Sequence, residues 1–237
     1  MQIPLKLKLP VRARLEDFIA RNSDEIITAA RQVIDSSQHE FLYLWSAERS
    51  GKTHLLSALC SLAEKSQQTV IYLPMQQADD LSPEIFDGLE SADIICIDDI
   101  DRIAGHANWE LALFNLYNRL RDGNRKLVVT SHFSPASIPV RLADLQSRLT
   151  WGISLGIATL DDTNKKQILQ LRANHIGMDL SDEAVTYLLN HHSRDLDSLI
   201  RILDKLENAS LVEKRKVTIP FLKDQLNEFH PDGPRAS

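Results

Sequence analysis

Residues 41 to 60 constrain this chain more than any other stretch. Phe41-Leu42-Tyr43-Leu44-Trp45 is an unbroken apolar run of strand length, and His54-Leu55-Leu56-Ser57-Ala58-Leu59-Cys60 opens a helix. Between them, Ser46-Ala47-Glu48-Arg49-Ser50-Gly51-Lys52-Thr53 ends in Gly-Lys-Thr. A phosphate-binding loop has a glycine, four residues, then Gly-Lys-Ser/Thr. Its glycines let backbone N–H groups close around phosphate oxygens, the lysine pairs the β/γ charges, and the hydroxyl ligates Mg²⁺. Here Ser46 stands at the first glycine. The pattern predicts a nucleotide held by Ser50, Gly51, Lys52, Thr53, His54 and the helix N-terminus, with a side chain at Ser46 crowding the turn.

Gly-Lys-Thr before a helix is also what a solvated turn looks like. The segment Asp93-Ile94-Ile95-Cys96-Ile97-Asp98-Asp99 decides against that reading. It is an apolar run ending in two carboxylates, as expected of a buried parallel strand that delivers acids to the switch-point edge of a sheet. One acid, Asp98, would hold Mg²⁺ together with Thr53, and Asp99 would orient the attacking water.

Further strands are predicted at 69–73, 126–130 and 152–157, and helices at 24–36, 52–65, 83–90 (short) and 108–122, with a short helix before Arg148. Strands alternating with helices mean a parallel α/β sheet. From Asp161 the pattern turns helical, at 162–176, 181–192, 195–211 and 218–228. The domain reading is a peptide and linker over 1–21, a nucleotide-binding α/β domain over 22–158, a helical lid over 159–229 and a tail over 230–237.

At 237 residues with 43% hydrophobic content, the chain can bury one large core and one small one. Neither a secretory segment nor an apolar span of membrane length is evident, and Cys60 and Cys96 fall in apolar elements. These features predict a cytoplasmic protein with reduced thiols and no membrane partner. A net charge of −6 argues against a broad nucleic-acid footprint. Trp45, Trp109 and Trp151 read as packing residues rather than base-stacking platforms.

Several segments carry a family resemblance: Gly51-Lys52-Thr53-His54-Leu55-Leu56, Ile97-Asp98-Asp99-Ile100 with Ile103-Ala104-Gly105, Val129-Thr130-Ser131, Ser147-Arg148 with Trp151-Gly152, and Thr218-Ile219-Pro220-Phe221. Over residues 22 to 228 the chain resembles AAA+ ATPases of the DnaA-related branch, and within it the Hda-type regulatory inactivators of the replication initiator DnaA. The resemblance implies a P-loop NTPase fold, with a parallel five-stranded sheet flanked by helices and a smaller helical lid. It also implies that Arg148 is an arginine finger acting in trans and that Arg194 is a second sensor touching the chain's own nucleotide. Ser131 and His132 take the first sensor position, although a carboxylate is the expected residue where His132 stands.

The departures separate this chain from the initiator. Nothing after Phe229 corresponds to the initiator's DNA-reading module, the stretch between residues 73 and 93 is short, and Asp144 replaces an arginine. Sequence-specific duplex binding is therefore not expected. At the other end, Gln2-Ile3-Pro4-Leu5-Lys6-Leu7 resembles the sliding-clamp-binding peptide, in which Gln2 would bond the pocket rim and Leu5 and Leu7 fill it. Lys6 departs from the usual apolar residue.

These features together imply an adenine nucleotide with Mg²⁺, ADP being favoured over ATP in the active form, and slow intrinsic hydrolysis. The implied partners are DnaA and the β sliding clamp, with DNA reached only through the clamp; a homo-oligomer is compatible with this reading. Two other readings stand beside it: an ATP-driven helicase loader or transposition helper, and a nucleotide-gated adaptor without catalytic contribution.

Overall fold

The structure is a computed structural model that describes residues 13–47, 50–191, 195–213 and 222. The chain divides into two compact units, Met1–Thr159 and Leu160–Ser237.

In the first unit, apolar runs form five strands: β1 (Phe41–Trp45), β2 (Val70–Pro74), β3 (Ile94–Asp98), β4 (Lys126–Ser131) and β5 (Ile153–Gly156). The sheet order is β2-β3-β4-β1-β5, with every pairing parallel. Period-two alternation splits β1 to β4 between two cores, while Ile153 and Leu155 of β5 pack on the first. Leu42 and Leu44 of β1 and Cys96 of β3 face α1 (Ser23–Asp35) and α2 (Lys52–Lys65), packing with Ile26, Val33, Leu55 and Leu59. Phe41, Tyr43, Ile95 and Ile97 face α3 (Ala107–Asp122) and α4 (Ala143–Leu149), packing with Leu113, Leu116, Leu145 and Leu149. All five residues of β3 are buried, which explains why Ile94 to Ile97 are continuously apolar instead of alternating. Cys60 and Cys96 are free and buried.

Two expectations change. The short helix over 83–90 is two 3₁₀ turns, Pro83–Phe86 and Leu89–Ser91. Gly88, left-handed at φ 78°, separates them, because an α-helix cannot pass through that conformation. Arg148 does not follow the short helix but sits inside it, in the last turn of α4.

The second unit is helical: α5 (Asp162–His175), α6 (Asp182–His191) and α7 (Leu196–Glu213). Asp161 caps α5 by accepting from the Asn164 N–H at 2.8 Å. Leu169, Val185, Leu188, Leu199, Leu203 and Leu222 share its core. Of the helix expected at 218–228 only Leu222 falls within the described residues, and the Thr218–Phe221 motif lies outside them. Among the described residues no helix is long and apolar enough to cross a membrane.

Candidate functional site

Parallel pairing brings the C-terminal ends of β1, β3 and β4 to one edge of the sheet, where ligands bind in open α/β folds. Ser46 leaves β1 with its N–H donating to the Ser131 carbonyl at 3.2 Å, and its own carbonyl accepts from Lys52 Nζ at 3.1 Å. Ser46 is outside the left-handed region, so its backbone makes no demand for glycine. Gly51 does make that demand, at φ 85°, where it caps α2. Lys52 is only 5% exposed. Burial pulls its pKa down, while Asp99, Asp101 and Asp98 oppose that shift. Ser50 is buried, and its hydroxyl has no hydrogen-bond partner among the described residues; Thr53 and His54 are exposed at the helix start.

Asp98 accepts from three hydroxyls. Its Oδ2 accepts from Thr53 Oγ1 at 2.7 Å and Tyr72 OH at 2.9 Å, and its Oδ1 accepts from Thr130 Oγ1. Burial first, then Asp98 itself, drives the Tyr72 phenol far above its ordinary pKa, so Tyr72 acts as a fixed donor. The adjoining Thr53 hydroxyl and Asp98 carboxylate form the all-oxygen donor pair that suits Mg²⁺, and the N-terminus of α2 with Lys52 suits a phosphate. Asp99 takes a left-handed φ of 57°, uncommon for a residue that carries a side chain. Its N–H donates to Thr130 Oγ1 at 2.9 Å, and its Oδ2 accepts from Gln76 Nε2 at 3.0 Å.

Ser131 is buried at the end of β4, and its Oγ accepts from the Phe133 N–H at 3.0 Å. His132, one residue on, is engaged with carboxylates: Asp101 accepts from its backbone N–H at 2.9 Å and pairs with Nδ1 at 3.0 Å, and Asp99 Oδ1 lies 3.7 Å from the same nitrogen. Burial works against ionisation of Asp101, but the His132 N–H and ring outweigh it and hold the carboxyl below its usual range. The imidazole thus stands among acids that would repel a further carboxylate.

The Arg148 guanidinium lies 4.2 Å from the Trp151 ring centroid and 5.8 Å from that of Tyr117. The structure corrects the reading of Trp151 as a packing residue, since its side chain is half exposed. Trp45 and Trp109 do pack on the core, Trp109 edge-on to Phe86. Buried Glu110 pins the segment leading to α4 by accepting from the backbone N–H groups of Gly105, Arg141 and Leu142 at 2.6 to 3.1 Å. Arg194 and the peptide residues Gln2, Leu5 and Leu7 lie outside the described residues.

Sequence reasoning missed Tyr72, Gln76, Asp101 and Glu110. Glu110 was visible in principle, because it occupies a core-facing position of the α3 stripe that continues through Leu113, Leu116 and Leu120.

Residues 9–156 match the bacterial DnaA ATPase domain, and residues 162–226 match the lid domain of Hda. The chain belongs to the DnaA-related branch of the AAA+ ATPases. A relative, an uncharacterized protein of Haemophilus influenzae, is 37% identical over 227 residues, covering 95% of this chain and 98% of the relative. Among solved structures, domain III of Thermotoga maritima DnaA is similar with a TM-score of 0.77 at 20% identity, covering 93% of this chain and 98% of that one. Aquifex aeolicus DnaA bound to AMPPCP gives 0.65 at 22% identity, covering 87% and 71%. The Thermotoga maritima RuvB branch migration motor gives 0.68 at 16% identity, covering 94% and 74%. At these identities the structural likenesses speak for the AAA+ fold, and the Hda-type lid places the chain among DnaA-related regulators and loaders.

Proposed function

We propose that this AAA+ protein is a regulatory inactivator of the replication initiator. In this reading it holds an adenine nucleotide, ADP in the active form, with Mg²⁺. Gly51, Lys52 and the start of α2 would cradle phosphate, Thr53 and Asp98 would hold the metal, and Arg194 would sense the nucleotide from the lid. Bound nucleotide sets the shape of the chain rather than being turned over rapidly. Gln2, Leu5 and Leu7 dock on the DNA-loaded sliding clamp, and Arg148 is offered to ATP held by DnaA.

The observation that carries this reading is the state of Arg148. Among the described residues its guanidinium forms no salt bridge and lies over the half-exposed Trp151 ring and near the buried Tyr117 ring, in a chain whose second unit matches the Hda lid. An arginine spared from internal carboxylates keeps its donors for a phosphoryl group. Such a finger stabilises charge developing on the transferred group and contributes roughly three to five orders of magnitude in rate.

The test loads DnaA with labelled ATP and follows hydrolysis with clamp and DNA. Arg148→Ala should cut stimulated hydrolysis by about 10³-fold while nucleotide and clamp binding persist. Arg148→Lys should rescue poorly, because an ammonium lacks the planar donor fork. Stimulation by Arg148→Ala equal to wild type would overturn the finger and favour a non-catalytic adaptor; rapid turnover by this chain alone, independent of the clamp, would favour a loader.

A further inference from the structure

We propose that Trp151 is the positioning residue of Arg148, holding the guanidinium by cation–π stacking so that its N–H edges face outward, ready for phosphate oxygens. The proposal rests on the reading of Arg148 as a finger.

The geometry begins at the end of α4. Thr150 Oγ1 donates to the Ser147 carbonyl at 2.7 Å, and the Trp151 N–H donates to the Arg148 carbonyl at 3.0 Å, closing a tight turn that places the indole beside the arginine three residues before it. Gly152 fixes where that turn meets the sheet. It is left-handed at φ 87°, and a Cβ there would stand 2.5 Å from the Phe41 carbonyl oxygen, so the backbone after Trp151 presses directly on the start of β1. Trp151 is therefore anchored through its backbone while its ring, half exposed, fills no core.

A large apolar ring left at the surface costs hydration, and the arginine stacked on it gives the ring a role. An arginine held by a carboxylate would spend its donors and neutralise the charge that a phosphoryl group needs. Asp144, one turn earlier on α4, stands where such a partner could sit, yet Arg148 forms no salt bridge among the described residues. A ring face orders the guanidinium through its π surface and leaves the five N–H groups in the guanidinium plane unspent. Ordering the side chain beforehand also removes part of the rotamer entropy that a free arginine loses on engaging its target.

The experiment is a mutant cycle in the full chain, read as clamp- and DNA-dependent hydrolysis of labelled ATP on DnaA. Trp151→Leu should lower the maximal stimulated rate roughly 3- to 10-fold, the range of a partly desolvated cation–π contact. The concentration giving half-maximal stimulation should stay within about 2-fold, as expected for an interaction lost only in the transition state. Trp151→Phe should fall between wild type and Trp151→Leu, because tryptophan presents the strongest π face. In an Arg148→Ala background, Trp151→Leu should have no further effect, a full coupling that a merely structural role would not produce. Independently of activity, the Arg148 Nε–Hε resonance should lose its ring-current shielding and move downfield in Trp151→Leu. Wild-type stimulation by Trp151→Leu, additive losses in the double variant, or an unmoved Nε–Hε resonance would each overturn the proposal while leaving the finger intact. Full activity of Arg148→Ala would instead overturn the finger and, with it, this role for Trp151.

Discussion

Thr130 shows how much a single buried hydroxyl can organise. It accepts from the Asp99 N–H and donates to Asp98, so one side chain on β4 fixes the last residue of β3 and the acid that follows it. Glu110 does comparable work for the approach to α4. Three backbone N–H groups from two loops converge on its buried carboxylate, among them Arg141 and Leu142 just before α4. Charge-assisted hydrogen bonds of this kind are each worth about 1.5–3 kcal/mol and are not additive within one cluster. Glu110→Ala should therefore destabilise the chain by about 3 kcal/mol in urea unfolding, with the midpoint moving and the slope unchanged. Glu110→Gln should cost less but still measurably, since one of its two terminal groups becomes a donor facing donors. A loss under about 0.5 kcal/mol in Glu110→Ala would show that the loops hold themselves without the carboxylate. Ser46 teaches the opposite lesson. Its replacement of the first loop glycine looked like a steric defect in the sequence, yet its backbone is ordinary and both its peptide groups are bonded.

At the scale of elements, the strands and long helices were legible because periodicity and apolar run length report burial directly. The segment between β2 and β3 was not, because Pro83 and Gly88 interrupt it too often for a helical period to develop, and its turns are set by backbone conformation. The start of β3 is tied to β2 by Asp93, whose carboxylate accepts from the Thr69 N–H at 2.8 Å, from Thr69 Oγ1 at 2.7 Å and from Arg125 Nη1 at 2.5 Å. The Thr69 N–H and hydroxyl, followed by the Arg125 charge, hold this carboxyl below its usual range. A depressed carboxylate pKa contributes stability above the unfolded value, near about 3.9, and that contribution is lost as pH falls through the lower folded value. The site is about one-third exposed, so solvent screens it, and Asp93→Asn should cost only about 1 kcal/mol at pH 7. Unfolding curves of variant and parent should converge as pH drops below about 4. A gap independent of pH would assign the effect to lost hydrogen-bond geometry rather than to charge.

For the whole molecule, the described core of the first unit includes Ala13, Leu15 and Phe18, and the proposed clamp peptide lies outside the described residues. Deleting residues 1–7 should abolish clamp binding in a pull-down and shift the thermal midpoint by less than about 2 °C. Retained clamp binding would reassign the docking site. By itself the sequence determined a parallel α/β unit followed by a helical one, along with the chemistry carried by neighbouring residues. Gly51-Lys52-Thr53 at a helix start and Asp98-Asp99 at a strand end are set by local backbone rules and burial, which act across a turn or two. Only the tertiary structure decided which distant groups meet those residues. Thr53 reaches Asp98 across 45 positions, Tyr72 across 26, and Glu110 reaches Arg141 across 31. Trp151 is near Arg148 in sequence, but its exposure follows from how Gly152 joins β5 to the edge of β1. The physical reason is the strand order β2-β3-β4-β1-β5. Alternation of strands and helices leaves that order open, because hydrophobic pattern tells each strand which face to bury and not which neighbour will supply its hydrogen bonds.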